Sequence, residues 1–365
     1  MSTTASQPVI VAAIGGREVP VHLGPGTLSQ VGPLLAAQAL GDGALVVVDS
    51  GIASAGEQVA QSCRDAGLRV AVEPVPAGEA SKTLGELERL SRAAARAGIR
   101  RRDAVVAVGG GVVGDLAGFL AASYQRGVRL VQVPTTLLAM VDSSLGGKTG
   151  VDLPEGKNYV GAVYQPEAVV MDTRVLGSLP ARELSCGFAE VVKYGLLVGG
   201  DLMEMVAGWP DLPGPDAELA DLIRRCAECK LEVVAEDEFD LGRRAILNLG
   251  HTVGHGIEAA AGYHLYHHGE AISLGLLAAL RVSEQHLGLA PEWRDRTMAT
   301  LQRHGLPVVL DPSVQVDQVL QLMSRDKKSD GRALNMVLLR APGDVLTHQD
   351  PDPAVVRAAV EELLP

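Results

Sequence analysis

The segment NLGHTVGHGIE at positions 248–258 carries two histidines four residues apart, His251 and His255. If the segment is helical, both imidazoles lie on one face. Such a pair suits two metal ligands, or one metal ligand beside an acid–base group. A second histidine-rich segment, HHGE at 267–270, follows, and five of the nine histidines fall between His251 and His268. The sequence predicts a histidine-based site here and leaves the division of roles open.

A glycine-rich turn stands between a predicted strand and a predicted helix in AVVAVGGGVVGDLAG at 104–118. Gly109, Gly110 and Gly111 let the backbone approach a ligand, and free N–H groups at a helix N-terminus can hold a pyrophosphate. The spacing differs from the G-x-G-x-x-G fingerprint of dinucleotide-binding proteins. The segment alone therefore suits a phosphate cradle and an ordinary tight turn equally well.

A second glycine-rich segment, VPTTLLAMVDSSLGGKTGVDLPEGKN at 133–158, adds hydroxyls and cations. Thr135 and Thr136 stand at the end of a predicted strand, where open α/β sheets bind ligands. Lys148 and Lys157 lie beside glycines and suit phosphate groups. The alternative is a solvated loop with surface lysines, but the Gly-Gly-Lys-Thr run after an apolar segment favours a phosphate site.

Polar side chains in apolar or glycine-rich settings extend into the second half of the chain. They are Glu190, Lys193, Lys230, Arg244, Asn248, Lys327 and Lys328. Glu190 and Lys193 could form a surface ion pair, since they stand three residues apart on a predicted helix. Lys230 lies on an apolar helical stripe, so it either snorkels to solvent or forms a buried cation that faces an anionic ligand.

Arg244 and Asn248 precede His251 by seven and three residues. On one continuous helix, all three side chains would point roughly the same way. Together with the lysines, they favour an anion-binding site close to the histidines.

The elements that must position these groups differ between the two halves of the chain. The first half has apolar runs of strand length at 44–50, 69–75, 104–110, 130–136 and 168–173. Consecutive apolar residues are typical of buried parallel strands, and helical patterns such as 83–98 separate the runs. This alternation predicts a Rossmann-like, doubly wound parallel sheet over residues 1–178. Residues 179–365 are predicted to be mainly helical, with a hairpin at 333–349.

Composition limits the partners. The net charge of −12 argues against nucleic acid or an anionic membrane as a partner of the whole surface. The chain has no apolar run of membrane-spanning length and no basic segment typical of a secretory signal at its start, which predicts a cytoplasmic protein. An anionic ligand must be held by local clusters of basic side chains.

Taken together, the motifs resemble those of the 3-dehydroquinate synthase family, within the sugar-phosphate cyclases. The resemblance runs from about Asp49 to Leu339. It rests on GGGVVGD, SYQRG, PTTLLAMVDSSLGGKT, GKN, FAEVVKYG, LNLGHTVGHGIE, HGEA and RDKK, in that order. It implies an NAD- and metal-dependent lyase that converts 3-deoxy-D-arabino-heptulosonate 7-phosphate into 3-dehydroquinate and phosphate, with zinc or cobalt as the metal.

The same resemblance implies a role for individual residues. The metal ligands would be Glu190, His251 and His268, and the HGE pattern selects His268 over His264 and His267. NAD contacts would be Asp49, Glu79, Lys82, Gly111, Val112, Val113, Gly114, Asp115, Thr135, Thr136, Lys148, Lys157 and Ser178. Substrate contacts would be Arg126, Asp142, Lys148, Asn158, Lys193, Lys230, Arg244, Asn248, His255, Lys327 and Lys328.

Catalysis would use four of these residues: His255 for proton transfer, with Lys193, Lys148 and Asp142. Arg126 would reach the site of a partner subunit, which implies a homodimer. Residues 1–178 would then bind NAD, and residues 179–365 would bind the metal and the substrate.

Three alternatives remain after the resemblance. An aminodehydroquinate synthase differs in one group of the substrate, so the motifs barely separate it from the main interpretation. Inosose and valiolone cyclases usually alter the GGKT motif. A metal-dependent NAD polyol dehydrogenase would share both cofactors, but it would not need the cations Lys148, Lys230 and Arg244.

Overall fold

The computed structural model describes residues 7–38, 41–210, 212, 217–262, 264–325 and 334–365. The strands are β1 Ile10–Ile14, β2 Arg17–Leu23, β3 Gly43–Asp49, β4 Arg69–Val75, β5 Ala104–Gly109, β6 Arg129–Pro134, β7 Lys148–Leu153, β8 Gly156–Val163, β9 Ala168–Met171, β10 Met336–Ala341 and β11 Asp344–Gln349. The helices are α1 Val31–Ala37, α2 Ala53–Asp65, α3 Leu84–Arg96, α4 Gly111–Ser123, α5 Ala181–Val198, α6 Gly200–Ala207, α7 Ala217–Glu236, α8 His251–Ala260, α9 His268–Leu287, α10 Glu292–Arg303, α11 Val316–Arg325 and α12 Pro353–Glu361.

The chain divides into two compact units. The first joins the chain up to Leu179 with Gly214–Phe239, and the second joins Pro180–Pro213 with the chain from Asp240 onward. The predicted boundary after residue 178 lies next to the point where the chain first passes from one unit to the other, between Leu179 and Pro180. It assigns α7 to the second half, whereas α7 packs on β1 and on the π-helical turn Ala139–Ser143 of the first unit. The helical pattern of α7 carried no signal of which sheet or helix it would cover.

The first unit is built on a sheet whose described strands run in the order β1-β2-β9-β6-β5-β3-β4. All neighbouring strands are parallel except β1 and β2, which pair antiparallel at one edge. The five predicted strands are β3, β4, β5, β6 and β9. The prediction of a doubly wound parallel sheet is therefore confirmed.

Both faces of this sheet are buried, as the unbroken apolar runs predict. In β3, Ala44, Val46 and Val48 pack with α1 and α2 on one face. Leu45 and Val47 pack with α3 and α4 on the other face. Because successive side chains of a strand alternate between faces, a continuous apolar run supplies both layers of core.

The second unit is mainly helical, as predicted, and includes the β10–β11 hairpin. Its helices α8 and α9 lie in close contact. A Cβ added at Gly275 would come within 2.1 Å of the Gly250 carbonyl oxygen, so glycine is required where these helices meet. The interpretation of Arg244, Asn248 and His251 as one continuous helix is wrong. Gly250 adopts a left-handed φ of 79°, which separates the 3-10 turn Arg243–Asn248 from α8.

None of the described helices is both long enough and apolar enough to cross a membrane.

Candidate active site

Three predicted metal ligands converge in the second unit. Glu190 lies on α5, while His251 and His268 are the first residues of α8 and α9. Their ligand atoms all lie within 4.8 Å of one another. The Nε2 atoms of His251 and His268 lie 3.5 Å and 3.4 Å from the same carboxylate oxygen, Glu190 Oε1. One carboxylate and two imidazoles are a donor set that suits a catalytic zinc or cobalt ion, with coordination positions left for substrate or water.

The remaining ring nitrogens have different partners. His251 Nδ1 lies 3.1 Å from the backbone oxygen of Leu249, and His268 Nδ1 lies 3.3 Å from Glu258 Oε2. Because a carbonyl and a carboxylate oxygen both accept, each Nδ1 donates to its partner, while each Nε2 faces Glu190.

Burial and charge act oppositely on these two rings. Burial lowers the pKa of His251 to about 3, which keeps its imidazole neutral. Burial also opposes protonation of His268, but the hydrogen bonds and charges of Glu190 and Glu258 outweigh it and raise the pKa of that ring to about 10. Glu190 and Glu258 therefore favour a positive charge on or next to the His268 ring.

The neighbouring histidines serve other purposes. His267 is the N-cap of α9, and its Nδ1 lies 3.2 Å from Glu183. Glu270, the glutamate of the HGE pattern, accepts the backbone N–H of His267 at 2.8 Å and completes a capping box. His264 is exposed, with Nδ1 3.0 Å from the Gly262 oxygen. The pattern thus marks a helix start whose first residue is His268.

Lys193 forms an ion pair with Glu190, and both side chains are buried, at 1% and 0% exposure. The alternative of a surface ion pair is therefore wrong.

Among the other predicted substrate residues of the second unit, Arg244 is buried, whereas Asn248 and His255 are exposed. The His255 ring centroid lies 5.3 Å from that of His251 and 6.1 Å from that of His268, so it stands beside the candidate metal ligands. Lys327 and Lys328 lie outside the described residues.

The first unit contains the predicted cofactor residues. Strand β5 ends at Gly109, and α4 begins at Gly111 after Gly110 as its N-cap, which has no side-chain cap. A Cβ at Gly109 would come within 2.6 Å of the Val113 side chain, so the turn needs glycine there. The first amides of α4, including those of Val112 and Val113, lack partners within the helix and suit a phosphate oxygen.

Lys82 joins several predicted residues beside this turn. Its buried Nζ lies 2.6 Å from Asp115 and 3.9 Å from Glu79, and it donates a hydrogen bond to Asn158. Burial raises the pKa of Asp115 to about 6 despite Lys82, and burial likewise raises the pKa of Glu79. The structure thus groups Asn158, predicted as a substrate contact, with predicted cofactor contacts.

The other predicted cofactor residues are spread over several loops of this unit. Asp49 accepts the Gly51 N–H at 2.8 Å, and Thr136 Oγ1 accepts the Ala139 N–H at 3.1 Å. Thr135 is buried, whereas Gly114 lies in α4. The exposed members are Lys148 at the start of β7, Lys157 on β8 and Ser178, whose hydroxyl donates to the Val175 oxygen.

Lys230 is buried in the first unit, at 5% exposure. Its Nζ lies 2.7 Å from the backbone oxygen of Asp142 and 2.8 Å from Oδ1 of the same residue. Snorkelling is therefore excluded, and Lys230 is a buried cation paired with Asp142, while its contact with an anionic ligand stays a prediction. Asp142 lies on the π-helical turn Ala139–Ser143, a feature that frequently occurs at functional sites.

Arg126 is exposed at a strained turn. Gln125 and Arg126 have φ values of 50° and 63°, in the left-handed region that non-glycine residues rarely adopt. The turn SYQRG therefore holds an exposed arginine at an energetic cost, and backbone strain of this kind is typical of functional sites.

One carboxylate beside the candidate metal ligands was not predicted. Glu258 is 5% exposed and follows His251 by seven residues on α8. Its i+7 spacing from His251 and i+3 spacing from His255 place it on their helix face, so the periodicity could have identified it.

Comparisons with known proteins agree with the geometry. Family models described as the 3-dehydroquinate synthase N-terminal and C-terminal regions match residues 72–186 and 187–329. A 3-dehydroquinate synthase from Symbiobacterium thermophilum is 44% identical over 96% of this chain and 99% of the relative. One from Caulobacter vibrioides is 43% identical over 97% and 98% of the two chains.

Solved structures of related cyclases superpose over nearly the whole chain. A 2-deoxy-scyllo-inosose synthase complexed with carbaglucose-6-phosphate, NAD⁺ and Co²⁺ has a TM-score of 0.87 at 28% identity, covering 97% of this chain and 99% of that one. A 2-epi-5-epi-valiolone synthase from Streptomyces hygroscopicus with NAD⁺ and Zn²⁺ has a TM-score of 0.84 at 26% identity, covering 100% and 99%. A probable glycerol dehydrogenase from Sinorhizobium meliloti, at 19% identity and a TM-score of 0.60, shares the fold.

Proposed function

This chain belongs to the 3-dehydroquinate synthase family, and we propose that it converts 3-deoxy-D-arabino-heptulosonate 7-phosphate into 3-dehydroquinate and phosphate, using NAD and a divalent metal ion. The observation that carries this proposal is the convergence of Glu190, His251 and His268 in a chain that matches the family along almost all of its length.

Glu190, His251 and His268 would hold the metal, for which their oxygen and two nitrogens are suitable donors. The ion would polarise the substrate C5 hydroxyl and make C5 a better hydride donor. Lys193 holds Glu190 in place through their buried ion pair and can also orient or protonate the substrate. Zinc and cobalt both suit this donor set, and the structures of the inosose and valiolone synthases contain one or the other.

The NAD contacts would come from the glycine turn and the residues around Lys82. The α4 amides from Gly111 onward suit the pyrophosphate, and Lys82 with Asp115 forms a buried polar cluster beside them. NAD would accept a hydride from C5 and return it later in the same turnover, so that the net reaction is a lyase reaction.

The substrate carries a carboxylate and a phosphate, which basic and amide side chains would bind. We assign Lys230 and Arg244 to the carboxylate, and Lys148, Asn158, Asn248 and Arg126 to the phosphate. Lys327 or Lys328 would add a further charge. Because the net charge of the chain is −12, basic side chains close to the substrate would have to supply the positive charge that holds it.

Oxidation at C5 makes the C6 proton acidic. His255 would transfer protons while the C7–O bond breaks and phosphate leaves by β-elimination, with Asp142 and Lys148 orienting the reacting groups. After C5 is reduced again, the ring opens and an intramolecular aldol reaction closes the carbocycle. The enzyme would act as a cytoplasmic homodimer in which Arg126 completes the site of the partner subunit.

The decisive test is a phosphate-release assay with the heptulosonate phosphate and its imino analogue side by side. Phosphate should appear from the heptulosonate only when NAD and metal are both present, without a build-up of NADH. No release from enzyme supplied with both would refute the proposal. Preference for the imino analogue would assign the aminodehydroquinate synthase reaction, and steady accumulation of NADH would indicate a polyol dehydrogenase.

A further inference from the structure

A second buried carboxylate lies on the far side of His268 from Glu190. Glu258 Oε2 is 3.3 Å from His268 Nδ1, while Glu190 Oε1 is 3.4 Å from Nε2 of the same ring. Glu258 is 5% exposed, and Glu190 is fully buried. The imidazole of His268 is thus held between two carboxylates from α8 and α5.

Burying a carboxylate is costly unless charge and hydrogen bonds compensate it. Glu258 projects from the third turn of α8 toward the first residue of α9, where the two helices pack closely. A hydrogen bond from Nδ1–H to Glu258 fixes the ring plane of His268 and leaves Nε2 to face Glu190. The carboxylate also makes the imidazole a stronger electron-pair donor.

We propose that Glu258 is a positioning residue that orients His268 and strengthens it as a metal ligand, an inference that rests on the metal set proposed above. His251 is supported by backbone, because its Nδ1 faces the backbone oxygen of Leu249. The two histidine ligands would therefore differ in the partner that their Nδ1 atoms contact. A side-chain substitution can remove the partner of His268, Glu258, but not the backbone oxygen that His251 contacts.

A competing role for Glu258 is direct metal binding. Ligand atoms of His255, Glu258 and His268 also lie within 4.8 Å of one another. The Glu190 set is favoured because both histidine Nε2 atoms face one buried carboxylate oxygen, whereas His255 is exposed. The two roles make different predictions for a His255 variant, since His255 would be a ligand in one of them alone.

The experiment measures zinc affinity of the full-length chain by competition with a chromophoric chelator, and records the visible spectrum of the cobalt form. Glu258→Gln conserves volume and should weaken zinc binding by about 10- to 100-fold, with Glu258→Ala weaker still. Both should alter the cobalt absorption bands. NAD affinity, measured on the same samples, should stay unchanged and so report that the variants are folded.

Glu183→Gln is the matched control, because Glu183 faces the neighbouring His267 at 3.2 Å and should leave zinc affinity and the cobalt spectrum unchanged. Wild-type affinity and spectrum in Glu258→Gln and Glu258→Ala would overturn the inference. Loss of metal in His255→Ala, as complete as in His268→Ala, would overturn it too and make Glu258 a ligand. If the wild-type chain itself bound no metal, the proposed metal set would fail instead.

Discussion

Adjacent histidines in this protein have separate tasks. His268 faces Glu190 and Glu258, whereas His267 caps α9 and faces Glu183. A change of one position along the chain thus moves an imidazole from the fully buried carboxylate of Glu190 to that of Glu183, which is 41% exposed.

Replacing His268 by Ala should abolish metal binding, because it removes one of three convergent donors. Metal content per chain, measured by atomic absorption after dialysis, should fall from about one ion to near zero. His267→Ala is the control and should retain the ion. Stoichiometric metal in His268→Ala would show that a different histidine completes the set.

Asp115 should titrate near pH 6, because burial opposes its charge more strongly than Lys82 supports it. Since this folded-state pKa lies above the ordinary value of 3.8, ionisation of Asp115 disfavours the folded state as the pH rises from about 4 to about 6. Carboxyl carbon NMR measures the midpoint. Lys82→Met removes the stabilising cation and should move it further upward; an unchanged or lower midpoint would contradict this pairing.

For single residues, the sequence predicted the chemical type of the site and the helix face on which a side chain lies. It did not predict which atoms each side chain contacts. The spacing of His251 and His255 placed both on one helix face, and the roles divided only through the family resemblance. The burial of Glu190 and Lys193 was not predicted, because it depends on contacts between segments that are distant in sequence. For Lys230, the apolar helical stripe left burial and snorkelling open as two alternatives.

At the scale of elements, the start of α9 depends on a glycine. A Cβ added at Gly269 would lie 2.0 Å from the Cys186 backbone oxygen, and the Gly269 N–H donates to Cys186 Sγ at 3.0 Å. Because this clash involves backbone, α9 would have to shift and carry His268 with it.

Gly269→Ala should therefore lower the free energy of unfolding by about 1–3 kcal/mol and weaken metal binding. Gly85 provides a matched control, since it is also the second residue of a helix and its Cβ would meet nothing closer than 3.8 Å. Gly85→Ala should be neutral or stabilising by up to about 1 kcal/mol. Urea unfolding measures both, and equal effects would contradict the assignment of the clash.

Four of the five predicted strands, β3, β5, β6 and β9, are buried on both faces and therefore consist of apolar runs. The fifth, β4, is an edge strand with mostly half-buried residues, and its apolar residues 70–72 were enough to indicate a strand. Four strands were not predicted, namely β1, β2, β7 and β8. β8 has mostly exposed or half-buried residues. β7 begins at Lys148, directly after the two glycines of the Gly-Gly-Lys-Thr segment, and these glycines indicated a loop. The break at Gly250 was missed because the flanking residues continue a helical pattern across it.

At the scale of the whole molecule, the proposed homodimer predicts complementation between inactive variants. In a heterodimer of Arg126→Ala and His268→Ala chains, one site would combine an intact His268 with the partner's intact arginine. Random reassociation of equal amounts should therefore restore roughly a quarter of wild-type phosphate release, since half of the dimers would have one working site of two. Each variant alone should stay inactive, and no recovery after mixing would place Arg126 in its own subunit's site.

The division into two units was predicted in outline, from the change of pattern near residue 178. The assignment of Gly214–Phe239 to the first unit was not predicted. Helical periodicity shows which face of a helix is apolar, but it does not show which element covers that face.

Because Gly214–Phe239 belongs to the first unit, that unit cannot be completed until part of the second unit has been synthesised. The seven strands of the large sheet have all been made once Met171 has left the ribosome, but Lys230 and the helix that covers β1 have not. Pro180–Pro213 of the second unit must be translated first. A nascent chain that stops before residue 217 would therefore hold a complete sheet with an uncovered edge strand and no cation against Asp142, so it would depend on chaperones until translation passes Phe239.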